Sequence, residues 1–169
     1  SKKLKKRILI LFSSFNTYTQ RCRCGPMASK WKKDFDQKFN LLREIINYSE
    51  ISNNIQISVR PGKEGWGNKE LITTNFKKDI ISKYENSLDD IKNSDLVICP
   101  YPETSFSDCV MTGTPALLLY RKSDWQFKGQ FLKLVKNFEK NNLLFYDYVF
   151  AFNHIKKIIH NPYKWWNLK

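Results

Sequence analysis

The chain has 169 residues, with 29 Lys and Arg against 16 Asp and Glu, for a formal net charge of +13 at pH 7. Hydrophobic residues make up 41% of it and aromatic residues 15%, which excludes a disordered segment and fits one domain with a substantial core. The longest apolar runs fall far short of the ~20 residues that a membrane-crossing helix needs.

The run "RILILF" at 7–12 is almost unbroken, as expected for a strand buried on both faces of a parallel sheet. The polar stretch "SSFNTYTQRCRCGPMAS" follows as a long loop, broken at Gly25-Pro26. Ser29 is then placed to cap a helix in which Phe35, Phe39, Leu42 and Ile46 recur at i, i+4, i+7 and i+11. "IQISVR" at 55–60 reads as the second strand, halted by Pro61-Gly62. A short helix over 68–76, a weak strand near 80–83 and a brief helix over 87–92 come next. The fourth strand is 96–99, followed by a short helix over 105–111 that Gly113 ends, and the fifth strand is 115–119. Phe127, Phe131, Leu134 and Phe138 repeat the helical spacing. A last short strand at 143–145 and a closing helix over 149–159, stopping before Asn161-Pro162, complete the chain. Strands alternating with helices imply βαβ units. The expected fold is α/β, a three-layer Rossmann-like sandwich with a parallel sheet of five or six strands, in a single domain over 1–169.

In an open parallel sheet, ligands bind beyond the carboxyl ends of the strands. Ser13 and Ser14 follow the first strand, with Arg21 and Arg23 further on; Arg60, Gly62 and Lys63 follow the second. Tyr101, Glu103, Thr104 and Ser105 follow the fourth strand, and Arg121, Ser123 and Asp124 the fifth. Hydroxyls and guanidinium groups gathered at one edge make an anion site. Thr104 and Ser105 lie where a strand turns into a helix, whose free N–H groups and partial positive charge hold phosphate oxygens. Either hydroxyl equally fits a plain capping role. Asp108, one turn on, is placed to accept hydrogen bonds from ribose hydroxyls, or else is a solvated carboxylate.

Other features argue mostly by exclusion. No G-x-G-x-x-G, P-loop or G-x-S-x-G pattern occurs, which argues against standard dinucleotide, P-loop and serine-nucleophile sites. Cys22 and Cys24 lack the further ligands that zinc needs, so neither a metal nor a cofactor is expected. Cys99 and Cys109 read as reduced, buried or half-buried thiols, which points to a reducing cytoplasm. His154, His160, Trp125, Trp165 and Trp166 read as packing or surface residues. Trp66, between Gly65 and Gly67, is the aromatic best suited to face a ligand.

Ten basic residues and no acidic one precede Asp34. Such a field attracts polyanions, phosphorylated small molecules or an anionic membrane face, although lysines kept for solubility would look the same. A nucleic-acid-binding module and a membrane-surface module are therefore alternatives to a small-molecule site. No recognised nucleic-acid motif is present, and the arginines gather at one edge rather than along a stripe, which disfavours nucleic acid.

The stretch "SDLVICPYPETSFSDCVMTGTPALLLYRKSDW" at 94–125 resembles the pattern "sDlvI..y.sTtflE.la.n.PtI.f...d.W" of sugar transferases associated with bacterial O-antigen and other surface polysaccharides. It is more distantly similar to the CDP-glycerol glycerophosphotransferases. "FSSFNTYTQRCRCGP" and "VRPGKEGWG" resemble that group's earlier "R.R.GP" and "vRpy..dyGW" segments. The resemblance implies the carboxy-terminal, donor-binding half of a GT-B fold, binding a nucleotide-sugar or CDP-polyol donor as substrate without a metal. Thr104 and Ser105 match the hydroxyl pair, and Arg21, Arg23 and Arg60 the anion-binding arginines. Asp108 stands where that group usually has Glu. The resemblance further implies a catalytic base in an amino-terminal partner domain outside this sequence. It also implies a cytoplasmic location, peripheral at the inner membrane face, and an isolated chain that is inactive.

Overall fold

Apolar runs become the centre of a sheet because they alone can be buried on both faces. The computed structural model describes residues 5–13, 28–52, 54–62 and 68–168. Five strands form one sheet: β1 (Lys6–Leu11), β2 (Ile55–Arg60), β3 (Leu96–Cys99), β4 (Ala116–Leu119) and β5 (Leu144–Phe145). Their order is β2-β1-β3-β4-β5, and every neighbouring pair is parallel. Registers set Leu11 beside Arg60, Ile10 beside Ile98, Cys99 beside Leu118 and Leu119 beside Phe145.

Seven α-helices accompany the strands among the described residues: α1 (Ala28–Ser52), α2 (Asn68–Asn75), α3 (Ser87–Lys92), α4 (Thr104–Thr112), α5 (Gly129–Lys140), α6 (Tyr148–Ile158) and α7 (Pro162–Trp166). Successive strand residues point to opposite faces, so the core divides in two. Ile8, Ile10, Ile98 and Leu119 pack with Leu42 and Ile45 of α1 and with Ile155 of α6. Leu9, Leu11, Val97 and Leu118 pack with Ile91 of α3, Phe106 of α4 and Val135 of α5. The result is the expected three-layer α/β sandwich, with the sheet in the middle.

Three local expectations need correction. Residues 80–83 are not a strand: a 3-10 turn (Lys78–Ile80) leads to a single parallel bridge between Ile81 and Val59. The chain leaves the sheet edge there because the Tyr84 and Glu85 carbonyls accept hydrogen bonds from Arg60, at 2.9 and 2.7 Å. Ser29 falls inside α1 rather than before it, because the helical backbone already includes Ala28. Asn161-Pro162 ends one helix but starts another. Pro at the first helical position loses no hydrogen bond there, and the Asn161 side chain caps α7 by accepting from the Lys164 N–H. Gly113 ends α4 as expected, in the left-handed conformation (φ +68°) that its missing side chain tolerates.

One polar knot lies inside the α3 layer. Asp90 of α3 is fully buried and receives two arginines. Arg7 of β1 donates to Asp90 Oδ1 (2.5 Å), Ser58 Oγ (2.7 Å) and Ser94 Oγ (2.6 Å), while Arg60 of β2 donates to Asp90 Oδ2 (3.3 Å). A carboxylate shared by two guanidinium groups ties two strands to the helix that covers them.

Candidate functional site

A sheet ordered 2-1-3-4-5 reverses its winding between β1 and β3, and the crevice at their carboxyl ends is where such folds hold ligands. The chain leaves β1 at Phe12 and half-buried Ser13. It leaves β3 through Pro100 and Tyr101 into α4, with Thr104 exposed and Ser105 half-buried. The extended residue that precedes α4 is Glu103, and its side chain makes no capping hydrogen bond. Thr104 and Ser105 are thus the first two helical residues rather than caps, and their backbone N–H groups belong to the turn that has no intrahelical acceptor. Asp108, half-buried, shares their face at the i, i+4 and i, i+3 spacings.

Ser13 and Tyr101 therefore follow the carboxyl ends of adjacent strands β1 and β3, and Thr104, Ser105 and Asp108 lie on α4, which follows β3. Arg60 also lies at a carboxyl end, but its guanidinium is engaged with Tyr84 O, Glu85 O and Asp90. Arg121 follows β4 and pairs with Asp124 at 3.9 Å. Ser14, Arg21, Arg23, Lys63 and Trp66 lie outside the described residues, as do Cys22 and Cys24. Among the described residues, no group of three or more His, Cys, Asp or Glu side chains is placed to hold a metal ion.

The first turns of α1 add residues that the sequence did not mark as site residues. Phe35 and Phe39 pack on Phe12, the last residue before the crevice, at ring separations of 5.1 and 6.1 Å. Between them, Gln37 donates through Nε2 to the Tyr146 carbonyl (3.1 Å), just past β5. The start of α1 therefore reaches across the carboxyl ends from β1 to β5. Asp34 is buried and paired with Lys38, itself only 1% exposed. A signal existed: Lys38 falls three residues after Phe35 and four before Leu42, on the apolar stripe, where a solvated lysine has no place.

Aromatic rings line the same edge. Tyr101 lies 5.2 Å from Trp125, Trp125 6.5 Å from Tyr120, and Tyr120 5.7 Å from Tyr146. Trp125 is thus a packing residue. His154 packs between Phe145 and Trp165, each at 5.3 Å. Burial raises the Tyr101 phenol pKa, helped by the carboxylates of Glu103 and Asp34. Tyr120 is raised by burial and then by Tyr146 and Glu139. Burial also pushes Tyr146 up to about 12, with Glu139 accepting its hydroxyl proton at 3.4 Å.

These shifts give a pH prediction. A phenol held neutral in the folded state, but ionising near 10.0 when unfolded, favours folding fully below that value. The contribution is lost as pH rises through the folded values. Tm should stay level from about pH 7 to 9 and fall between about 10 and 12. Tyr146→Phe should lessen that fall; an equal alkaline loss in Tyr146→Phe and in the unaltered protein would remove Tyr146 as a cause.

Among the described residues, no helix is long and apolar enough to cross a membrane. No curated protein matches the chain. The family model of the LIC12162 family transferase matches residues 1–169, and with its Rossmann-like sheet and crevice the chain belongs to that family of transferases.

Proposed function

We propose that this transferase binds the diphosphate of a nucleotide-activated sugar or polyol phosphate in the β1–β3 crevice, against the start of α4. The observation that carries the reading is the sheet order, which sets Ser13 and the uncapped first turn of α4 at the two sides of the switch point. First-turn amides, the hydroxyls of Thr104 and Ser105, and the helix dipole would hold phosphate oxygens and stabilise the departing nucleotide. Asp108 would accept from ribose hydroxyls, and Tyr101 would wall the site. The proposed site also draws on Ser14, Arg21, Arg23 and Lys63, while Arg60 braces the chain at Tyr84 and Glu85.

In this reading the chain is the donor-binding half of a GT-B-type glycosyltransferase acting in bacterial surface-polysaccharide synthesis, of the O-antigen or CDP-glycerol kind. The catalytic base comes from an amino-terminal partner domain. Lys2, Lys3, Lys5 and Lys6 supply a positive field toward an anionic membrane on the cytoplasmic side. No cofactor takes part.

A thermal-shift panel of nucleotide sugars and CDP-glycerol tests the reading. A matching donor at a hundred times its Kd adds about 2.7 kcal/mol, which for a chain of this size raises Tm by roughly 5–10 °C. Flat responses across the panel would sink it. A nucleic-acid ligand would instead show affinity falling log-linearly with salt.

A further inference from the structure

We infer that Asp34, Gln37 and Tyr120, over the carboxyl ends of β3, β4 and β5, form the pocket for the hydroxyl-bearing group that the donor carries, its sugar or polyol. The inference rests on the donor reading above and names where the transferred group lies.

Buried polar atoms in folded proteins almost always have partners, so those without one point to something that binds there. Buried side-chain atoms with no hydrogen-bond partner among the described residues include Asp34 Oδ1, Gln37 Oε1, Tyr120 OH and Asp124 Oδ2, besides Ser52 Oγ far from them in the chain. All four flank one edge of the sheet. They are neighbours in a chain of groups: the Asp34 carboxylate helps raise the Tyr101 phenol pKa, Tyr101 packs on Trp125, Trp125 on Tyr120, and Tyr120 on Tyr146. The Tyr146 carbonyl then accepts from Gln37, less than one helical turn beyond Asp34. Gln37, Tyr101, Trp125 and Tyr146 are half-buried, and Tyr120 is 1% exposed.

The unpartnered atoms define the ligand's chemistry. Gln37 spends its amide nitrogen on Tyr146, so the atom left over is an acceptor. Asp34 spends Oδ2 on Lys38, leaving a second acceptor in Oδ1. The Tyr120 hydroxyl can both donate and accept. A complementary group must carry several hydrogen-bond donors. Sugar and polyol hydroxyls do; a phosphate at neutral pH offers acceptors alone. Phosphate would also meet the carboxylates of Asp34, Asp124 and Glu139. The nearby cations do not offset this: Lys38 is paired with Asp34, Arg121 lies 3.9 Å from Asp124, and Lys122 sits over the Tyr146 ring. Aromatic walls suit the apolar faces of a sugar. The anionic part of the donor therefore goes to α4 and the hydroxylated part to this pocket, with Tyr101 between them.

The test is a calorimetric titration with a nucleoside diphosphate and with its sugar or glycerol conjugate, on the unaltered protein, Tyr120→Phe and Asp34→Asn. The conjugate should bind the unaltered protein about tenfold more tightly than the diphosphate, roughly one good hydrogen bond to a charged group. Both substitutions should cut that advantage to below about threefold and leave diphosphate affinity within about twofold. Tyr120→Phe should keep or raise Tm, because the hydroxyl it removes has no partner. A full conjugate advantage in both variants, no advantage in the unaltered protein, or a fall of several degrees in Tm for Tyr120→Phe would each overturn the pocket while leaving the diphosphate site standing. Failure of every diphosphate and conjugate to bind the unaltered protein would overturn the donor reading, and the pocket with it.

Discussion

Asp90→Ala is expected to cost about 3–5 kcal/mol of stability, the scale seen when one partner of a buried ion pair is removed. Asp90 has no solvent exposure and accepts from both Arg7 and Arg60. Removing it leaves two guanidinium groups, 12% and 15% exposed, without their counter-ion. It also frees the joint between β1, β2 and α3. For a chain of this size each kcal/mol shifts Tm by about 2–4 °C, so a loss of roughly 10 °C is expected. Urea unfolding followed by circular dichroism measures it directly, and an unchanged midpoint would show that the knot contributes nothing. Arg60→Lys should lower the unfolding free energy from the same curves by about 1–2 kcal/mol, because an ammonium cannot span Tyr84 O, Glu85 O and Asp90 together. A loss of nucleotide affinity at unchanged stability would instead return Arg60 to the donor site.

Thr104→Val together with Ser105→Ala should weaken nucleoside diphosphate binding at least tenfold while leaving the fold intact. A hydrogen bond to a charged group is worth ~1.5–3 kcal/mol, and about 1.4 kcal/mol is tenfold in affinity, so even one such bond meets the threshold. Stability should hold because the cap position belongs to Glu103 and neither hydroxyl caps α4. Calorimetry on the double variant gives affinity, and a melting curve gives stability. Unchanged affinity would remove both hydroxyls from the site. Reduced affinity with a Tm loss of many degrees would reassign them to holding α4 in place.

Local periodicity carried much of the fold. The buried strands β1, β3 and β4 follow from continuous apolar runs, and the end of α4 from Gly113. Thr104, Ser105 and Asp108 were legible together because one contiguous strand–turn–helix holds all three. By contrast, Arg60 reads in the sequence as one more cation at a strand end, and its partners stand 24, 25 and 30 residues away. Gln37 meets Tyr146 across 109 residues, and Arg7 meets Asp90 across 83. A periodic pattern reports which face of an element is apolar, since that depends only on spacings of 2 and 3.6 residues. The sequence by itself therefore determined most of the elements, the three layers and the strand–turn–helix that carries Thr104, Ser105 and Asp108. Strand order, and with it which polar groups share a buried edge, came from long-range pairing of chain segments, and only the tertiary structure decided that Arg60 braces a knot and that Gln37 meets Tyr146.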